Sequence, residues 1–367
     1  MVNAKLSFEN LEFEHHRADK CENNGFVRVH FLKTFYFDLS DEELIKIGKY
    51  KVVDSDKNSL FFDASQQRAE RKFNDLLHLG FGRLRSKITG KKTVYVHRNS
   101  RIPLIGNGTF GIVDRNSSLI EIKPVTGCNL DCVFCSVDQE KRNVDFIVEK
   151  DYLVEELKKL IKYKEVGVQV FIGSQGEPLL YSDLIGLVQD ISKLDNVKEI
   201  ILSTNGTMLT QKAVDQLASA GLTRINLSMN ALDDKNAKRI CGKAYNVSHV
   251  KQIAEYIVKK MDLMITPVWV PGINDEQIEA LIEYSIKIGA GKNCPPIGVQ
   301  KFLEYQFGKK PAKEETWEKF YEKLEEFQKK HKVKLCKEMD KELQIVKTKK
   351  LPKPFDKGDI VKAEIIC

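Results

Sequence analysis

An α/β fold built on a parallel sheet is the class this sequence predicts, and three observations carry the prediction. From Leu119 onward, short apolar runs alternate with amphipathic stretches six times, and the runs read as strands at 119–124, 167–172, 198–203, 223–229, 262–269 and 297–303. The intervening stretches have helical spacing, as at 151–163, where Leu153, Leu157, Leu160 and Ile161 share one face. Residues 1–118 lack this alternation, so they form a separate small α+β domain. With 367 residues and 42% hydrophobic content, the chain is long enough for two or three domains with a buried core. The division is 1–118 as an N-terminal α+β domain with a basic hairpin, 119–305 as the α/β core, and 306–367 as a C-terminal helix plus a basic β extension.

In chain order, residues 25–37 are extended, Ser40 followed by acidic residues opens a short helix over 40–48, and 59–81 contains another helix. Residues 82–98 then give two alternating runs around a Thr-Gly-Lys-Lys turn, a hairpin signal. Period-two geometry places Leu84, Ile88, Val94 and Val96 on one face and Arg83, Arg85, Lys87, Tyr95 and His97 on the other. Phe81 to Arg101 holds four Arg and three Lys without an Asp or Glu. Cations beside stacking rings suit single-stranded nucleic acid; the alternative is a solvated face, or one paired with acids elsewhere.

Polar groups collect at the ends of the strands, where parallel α/β folds place their sites. After the first strand come Cys128, Cys132 and Cys135; after the second, Gly176, Glu177 and Pro178; after the third, Ser203, Thr204 and Asn205; after the fourth, Ser228. The sixth ends with Gln300, Lys301 and Glu304, which face substrate or are simply exposed. Three thiolates in one loop can hold three corners of an iron–sulfur cube, which ordinarily takes four cysteines, and this leaves one iron open. Structural zinc wants a closed set of four ligands, usually from paired cysteine elements, and no second pair is present. An odd cluster in a chain that opens without a signal-peptide core also disfavours disulfides.

The spacing C-x3-C-x2-C, with the aromatic Phe134 before the last cysteine, resembles the signature of the radical S-adenosylmethionine enzymes, and the resemblance extends over about 119–305. It implies an open partial (β/α)6 barrel. It further implies a 4Fe-4S cluster on Cys128, Cys132 and Cys135, with S-adenosylmethionine on the open iron and a ferredoxin or flavodoxin type of electron donor. Gly176, Glu177 and Pro178 resemble the Gly-Gly-Glu-Pro motif that grips the methionine amino group, although Gln175 stands where the first glycine is common. Ser203, Thr204 and Asn205 resemble the ribose-contacting patch, and Ser228 the position near the carboxylate or ribose. The stretch after the fifth strand, VWVPGIND, implies backbone near the adenine. The whole resembles an uncharacterised archaeal branch of iron–sulfur oxidoreductases.

The other cysteines, Cys21, Cys241, Cys294, Cys336 and Cys367, stand singly, so they read as buried thiols, the alternative being a scattered auxiliary cluster site. They do not make the cysteine-rich C-terminal pattern that holds auxiliary clusters in peptide-modifying relatives and the molybdenum-cofactor cyclase. No acidic-His-Gly cobalamin fingerprint is present either. Formal charge is +7, with 47 Lys against 12 Arg, as surface ion-pair networks or an AT-rich genome would produce. No apolar run is long enough to span a bilayer, so a cytoplasmic enzyme is expected. Residues 317–327 form an amphipathic helix with Trp317, Phe320, Tyr321, Leu324 and Phe327 on one side. The Lys-rich tail from 346 reads as a terminal hairpin on the barrel and faintly resembles part of a small RNA-binding barrel. The basic hairpin and tail point to RNA, such as tRNA, as substrate; the alternatives are a protein side chain, a small phosphorylated metabolite, or a non-enzymatic iron–sulfur sensor.

Overall fold

The computed structural model describes residues 4–17, 25–173, 175–335, 343–353, 355 and 358–362. The strand–helix alternation is realised as one sheet of five parallel strands in chain order: Leu119–Lys123, Val168–Ile172, Val197–Thr204, Arg224–Leu227 and Asp262–Ile265. An antiparallel strand, Gly111–Asp114, closes the edge beside the first. The expected sixth strand is reduced to a parallel bridge from Ile265 to Ile297 and a short pairing of Val268–Trp269 with Gln300–Lys301. Among the described residues the sheet does not close into a barrel.

The crossover helices bury the apolar faces their spacing dictates; in Lys150–Lys164 these are Leu153, Leu157, Leu160 and Ile161. Thr210 and Asn246 cap the helices Gln211–Ala220 and Val247–Lys260 by accepting from Ala213 N and His249 N. Every residue of the fourth strand is buried, as in a sheet covered on both faces, yet one face carries Arg224 and Asn226.

The N-terminal region builds two sheets, the smaller antiparallel and the larger antiparallel except at its last pairing. The smaller orders Ala4–Ser7, Asp56–Phe62 and Tyr50–Val53. The larger runs from Leu11–His16 through Phe26–Phe31, Phe35–Ser40, Arg85–Ser86 and Lys92–Val96 to Val144–Val148. The helix Gln66–Phe81 seals it, with Phe73 tilted against Phe8, Phe13 and Phe62. Ser40 and Glu43 make a reciprocal capping box on the short helix Asp41–Ile45. Val144–Val148 lies after the cysteine loop but pairs in parallel with Lys92–Val96. The loop is therefore strung between two sheets: it leaves the parallel sheet at Lys123 and returns to the N-terminal one at Val144.

The 82–98 hairpin forms, but its faces are not those of an uninterrupted period of two. Ser86 Oγ accepts from the backbone N–H groups of Ile88 and Thr89, both at 3.2 Å, which ends the strand and turns Ile88 out to 46% exposure. Leu84 and Val96 are buried as expected. Tyr95 is not a free stacking ring, because it packs against Phe31 and Phe81 and lies over His97.

At the other end of the chain, the helix Trp317–His331 buries Phe320 and Leu324, while Trp317, in its first turn, stays 47% exposed under the Lys301 ammonium. The described part of the tail makes no hairpin. It runs along the amino ends of the parallel strands, with Ser118 N donating to Val346 O (2.8 Å), Thr348 N to Asn116 O (2.9 Å) and Gln169 Nε2 to Leu343 O (2.5 Å). Residues 363–367 lie outside the described part. Among the described residues, no helix is long and apolar enough to cross a membrane.

Candidate active site

The carboxyl ends of the parallel strands open into a cavity of about 1030 Å³, and the sequence-predicted residues meet there. Cys128, Cys132, Phe134 and Cys135 line it, together with Gly176, Glu177, Ser203, Thr204, Asn205, Ser228, Gln300 and Lys301. Pro178 stands just outside, as the first residue of the turn Pro178–Leu180. Val268, after the fifth strand, is also on the wall. The basic hairpin residues Arg83, Arg85, Lys87, Tyr95 and His97 are not. Arg83 is paired with Glu43 at 3.0 Å and Arg85 donates to Gly90 O.

The cysteine loop is fixed from four sides. Thr126 N donates to Phe146 O and Val125 bridges Ile147, which ties the loop's start to the N-terminal sheet. Asp131 N and Val133 N donate to Cys241 O and Ile240 O, at the end of the helix Asp234–Cys241. Gly242, at φ +69°, has no room for a side chain, since a Cβ would stand 2.2 Å from Asp131 O. Asn129 donates to Thr207 and accepts from Asn205 Nδ2, and Lys309 pairs with Asp131 from the far side.

Gly176 answers a second close approach. A Cβ there would lie 2.8 Å from Gly127 O, Thr126 C and Val125 O, all backbone. Glu177 N donates to Gly127 O at 2.8 Å, so the second strand's loop lies against the start of the cysteine loop. The Glu177 carboxylate is 1% exposed, and its hydrogen-bond donors are internal: Leu179 N, Thr204 Oγ1 and Asn205 N. It caps the turn whose first residue is Pro178. Burial pushes its carboxyl above the ordinary range against the pull of those three donors. Thus it organises the third strand's end where the sequence suggested a ligand contact.

Burial raises the thiols of Cys128 and Cys135; for Cys132, contact with the Cys241 side chain raises it most and burial adds to this. Thiols must shed their protons to bind iron, so loading a cluster here releases protons. Among the described cysteines no fourth lines the cavity: Cys241, in contact with Cys132, and Cys294 are buried outside it. Cys21, Cys336 and Cys367 lie outside the described residues. Three thiols on one loop suit a cube with one iron free of protein ligands.

Several wall residues carried no signal that was used. Arg142 Nη1 donates to Thr126 O (2.5 Å) and Gln175 O (3.2 Å), and burial lowers its pKa. Among the described residues the buried Gln139 Oε1 has no hydrogen-bond partner. Lys123 and Arg115 line the wall beside the first strand. A charged pair at alternate positions, Glu121 and Lys123, inside an otherwise apolar strand was the legible clue.

Residues 122–285 match the family model described as the Radical SAM superfamily. The chain is 38% identical to the protein named Uncharacterized protein MJ0103 of Methanocaldococcus jannaschii, over 86% of this chain and 80% of that one. The chain belongs to the radical SAM superfamily. Radical SAM enzymes use a 4Fe-4S cluster and S-adenosylmethionine and need a reductant, so this chain is an enzyme of that kind. It is also similar to the GTP 3',8-cyclase of Trichodesmium erythraeum, 34% identical over 46% of this chain, and spans about half (52%) of that cyclase's length. Among solved structures, SuiB of Streptococcus suis bound to S-adenosylmethionine matches 90% of this chain and 71% of that one, at 18% identity and a TM-score of 0.48.

Proposed function

We propose that Cys128, Cys132 and Cys135 hold the 4Fe-4S cluster and that Gly176, Glu177, Pro178, Ser203, Thr204, Asn205 and Ser228, with Phe134 beside them, form the S-adenosylmethionine site. The observation that carries this is the convergence of all but Pro178 on one cavity wall from four separate strand ends. When bound and reduced, the cluster supplies the electron that cleaves S-adenosylmethionine to a 5′-deoxyadenosyl radical, which removes hydrogen from substrate. The chain's own residues hold that geometry: Glu177 fixes Thr204 and Asn205, and Asn205 fixes Asn129 of the cysteine loop. On this reading 119–305 is an open partial (β/α)6 barrel flanked by 1–118 and 306–367, with Val144–Val148 given over to the N-terminal sheet. The enzyme is cytoplasmic and takes electrons from a ferredoxin or flavodoxin.

For the substrate, the cavity favours a small molecule. Pockets for small ligands measure roughly 300–1,000 Å³, and this cavity, at about 1030 Å³, stands at the top of that range. RNA modification is a second reading, supported by the exposure of Arg83, Arg85 and Lys87 along one hairpin edge. It lacks free stacking rings, since Tyr95 packs on Phe31 and Phe81 and His97 stacks on Tyr95. GTP cyclisation is not carried over from the cyclases, whose match ends within half of this chain.

Anaerobic reconstitution with iron and sulfide, reduction by dithionite, and chromatography for 5′-deoxyadenosine test the assignment. Formation of 5′-deoxyadenosine that depends on all three cysteines is expected. A fully iron-loaded protein that leaves S-adenosylmethionine intact on reduction overturns it.

A further inference from the structure

We infer that the wall formed by Arg115, Glu121 and Lys123 binds the anionic group, phosphate or carboxylate, of a small substrate. The inference rests on the radical SAM reading of the cavity and adds the chemistry of what shares it with the cosubstrate. Lys123 is the last residue of the first parallel strand, is 5% exposed and lines the cavity. Its Nζ donates to Gly108 O at 2.6 Å and lies 3.6 Å from Glu121 Oε1. Arg115 donates to the other oxygen of the same carboxylate, Glu121 Oε2, at 2.8 Å.

Two cations therefore share one buried carboxylate: Lys123 is buried beside it, while the Arg115 side chain stays 62% exposed, and both line the cavity. Arg142, farther along the cavity, is close enough to Lys123 to repel it and spends its Nη1 on backbone carbonyls. Taking an ion out of water is costly unless an opposite charge meets it. An anion seated between Lys123 and Arg115 neutralises the excess, and the guanidinium fork with a point-like ammonium fits either a phosphate or a carboxylate. The wall lies inside the cavity, so the anion belongs to a molecule small enough to enter beside S-adenosylmethionine.

The test uses the reconstituted protein saturated with S-adenosylmethionine and follows pyrophosphate in one arm and malonate in the other by titration calorimetry. Wild type should bind one of them saturably at one site, and the arm that binds assigns the group. Lys123→Met leaves Arg115 and Glu121 as a neutral pair and should weaken that binding about tenfold or more. Glu121→Gln, which raises the wall's net charge, should tighten it. The inference is overturned if wild type binds neither anion, if Lys123→Met binds as wild type does, or if that variant loses S-adenosylmethionine affinity to the same extent. Binding of tRNA that depends on Lys123, with no small anion bound, overturns it in favour of RNA. In each of these cases 5′-deoxyadenosine formed by the reduced wild-type protein shows that the radical SAM assignment itself stands.

Discussion

The Thr204 hydroxyl donates to the Glu177 carboxylate at 2.7 Å, with both groups buried, and this contact joins the loop after the second parallel strand to the end of the third. The second carboxylate oxygen takes Asn205 N at 2.9 Å, and Asn205 Nδ2 reaches Asn129 in the cysteine loop at 2.9 Å. The proposed cosubstrate wall and the proposed cluster loop are therefore one hydrogen-bonded unit.

It follows that Glu177→Ala should do two things together. Hydrogen bonds to a charged group are worth roughly 1.5–3 kcal/mol, so removing this hub should lower stability by about that amount in urea denaturation. Thr204 and Asn205 lose their positions, so S-adenosylmethionine affinity should also fall, by about tenfold to a hundredfold. Iron content should survive, because no thiol is touched. Lost affinity at unchanged stability would return Glu177 to the role of a simple ligand contact.

Single replacement of Cys128, Cys132 or Cys135 by Ala should remove most of the cluster's visible absorbance after reconstitution. Cys241→Ser is the discriminating control. Cys241 touches Cys132 but does not line the cavity, so this variant should keep its iron. Loss of iron from Cys241→Ser alone would make Cys241 part of the cluster's ligand set.

What was readable in the sequence followed from local rules. Strand periods, the Ser40–Glu43 cap and the polar strand ends each depend on residues close in sequence, and the structure contains them. One difference is local: the Ser86 hydroxyl, two residues before Ile88, stops the strand and turns Ile88 outward. The others come from contacts made at a distance. The basic face lost its rings because Tyr95 finds Phe31 and Phe81, which are 64 and 14 positions away. The return of Val144–Val148 to the N-terminal sheet, and the internal use of the Glu177 carboxylate, are likewise tertiary choices without a local signature.

Gly176→Ala probes the approach of the two loops. The added Cβ would meet backbone on three sides at 2.8 Å, and no side chain can swing away to relieve it. Overpacking of this kind costs about 1–3 kcal/mol. The variant should be less stable and take up less iron, because what must shift is the backbone of Val125–Gly127, which leads directly into Cys128. Full iron uptake at wild-type stability would show that the loops are not in contact.

Lys164→Met should release the C-terminal segment. The Lys164 ammonium is fully buried and donates to Asp114 Oδ1 (2.7 Å), Thr348 Oγ1 (2.8 Å) and Lys349 O (2.8 Å). Among the described residues Asp114 Oδ2 has no partner and Oδ1 keeps only the Asn116 N–H (2.8 Å), so the variant leaves a buried carboxylate without its counter-charge, at a cost of about 3–5 kcal/mol. Limited proteolysis should then cut within 343–350 well before the parallel sheet. Equal resistance in the variant would mean that the segment is held by its backbone bonds to Asn116 and Ser118 alone.

The Lys123 wall makes a prediction about pH. Burial lowers the Lys123 pKa from the ordinary 10.5; Glu121 partly restores it, while Arg115 and Arg142 push it down. Only the ammonium attracts an anion, so sulfate, which does not titrate in the alkaline range, should bind with constant affinity below the lowered pKa. Its affinity should fall as pH rises through that value, earlier than an exposed lysine would allow. Stability without an anion runs the other way. Between the lowered folded value and the unfolded value, the unfolded chain binds more protons, so stability rises with pH across that window. Bound sulfate raises the folded pKa and should flatten the rise. Lys123→Arg keeps its charge and should bind sulfate across the whole window. Calorimetric titration with sulfate at several alkaline pH values checks this, and identical pH profiles for wild type and Lys123→Arg would remove Lys123 from the anion site.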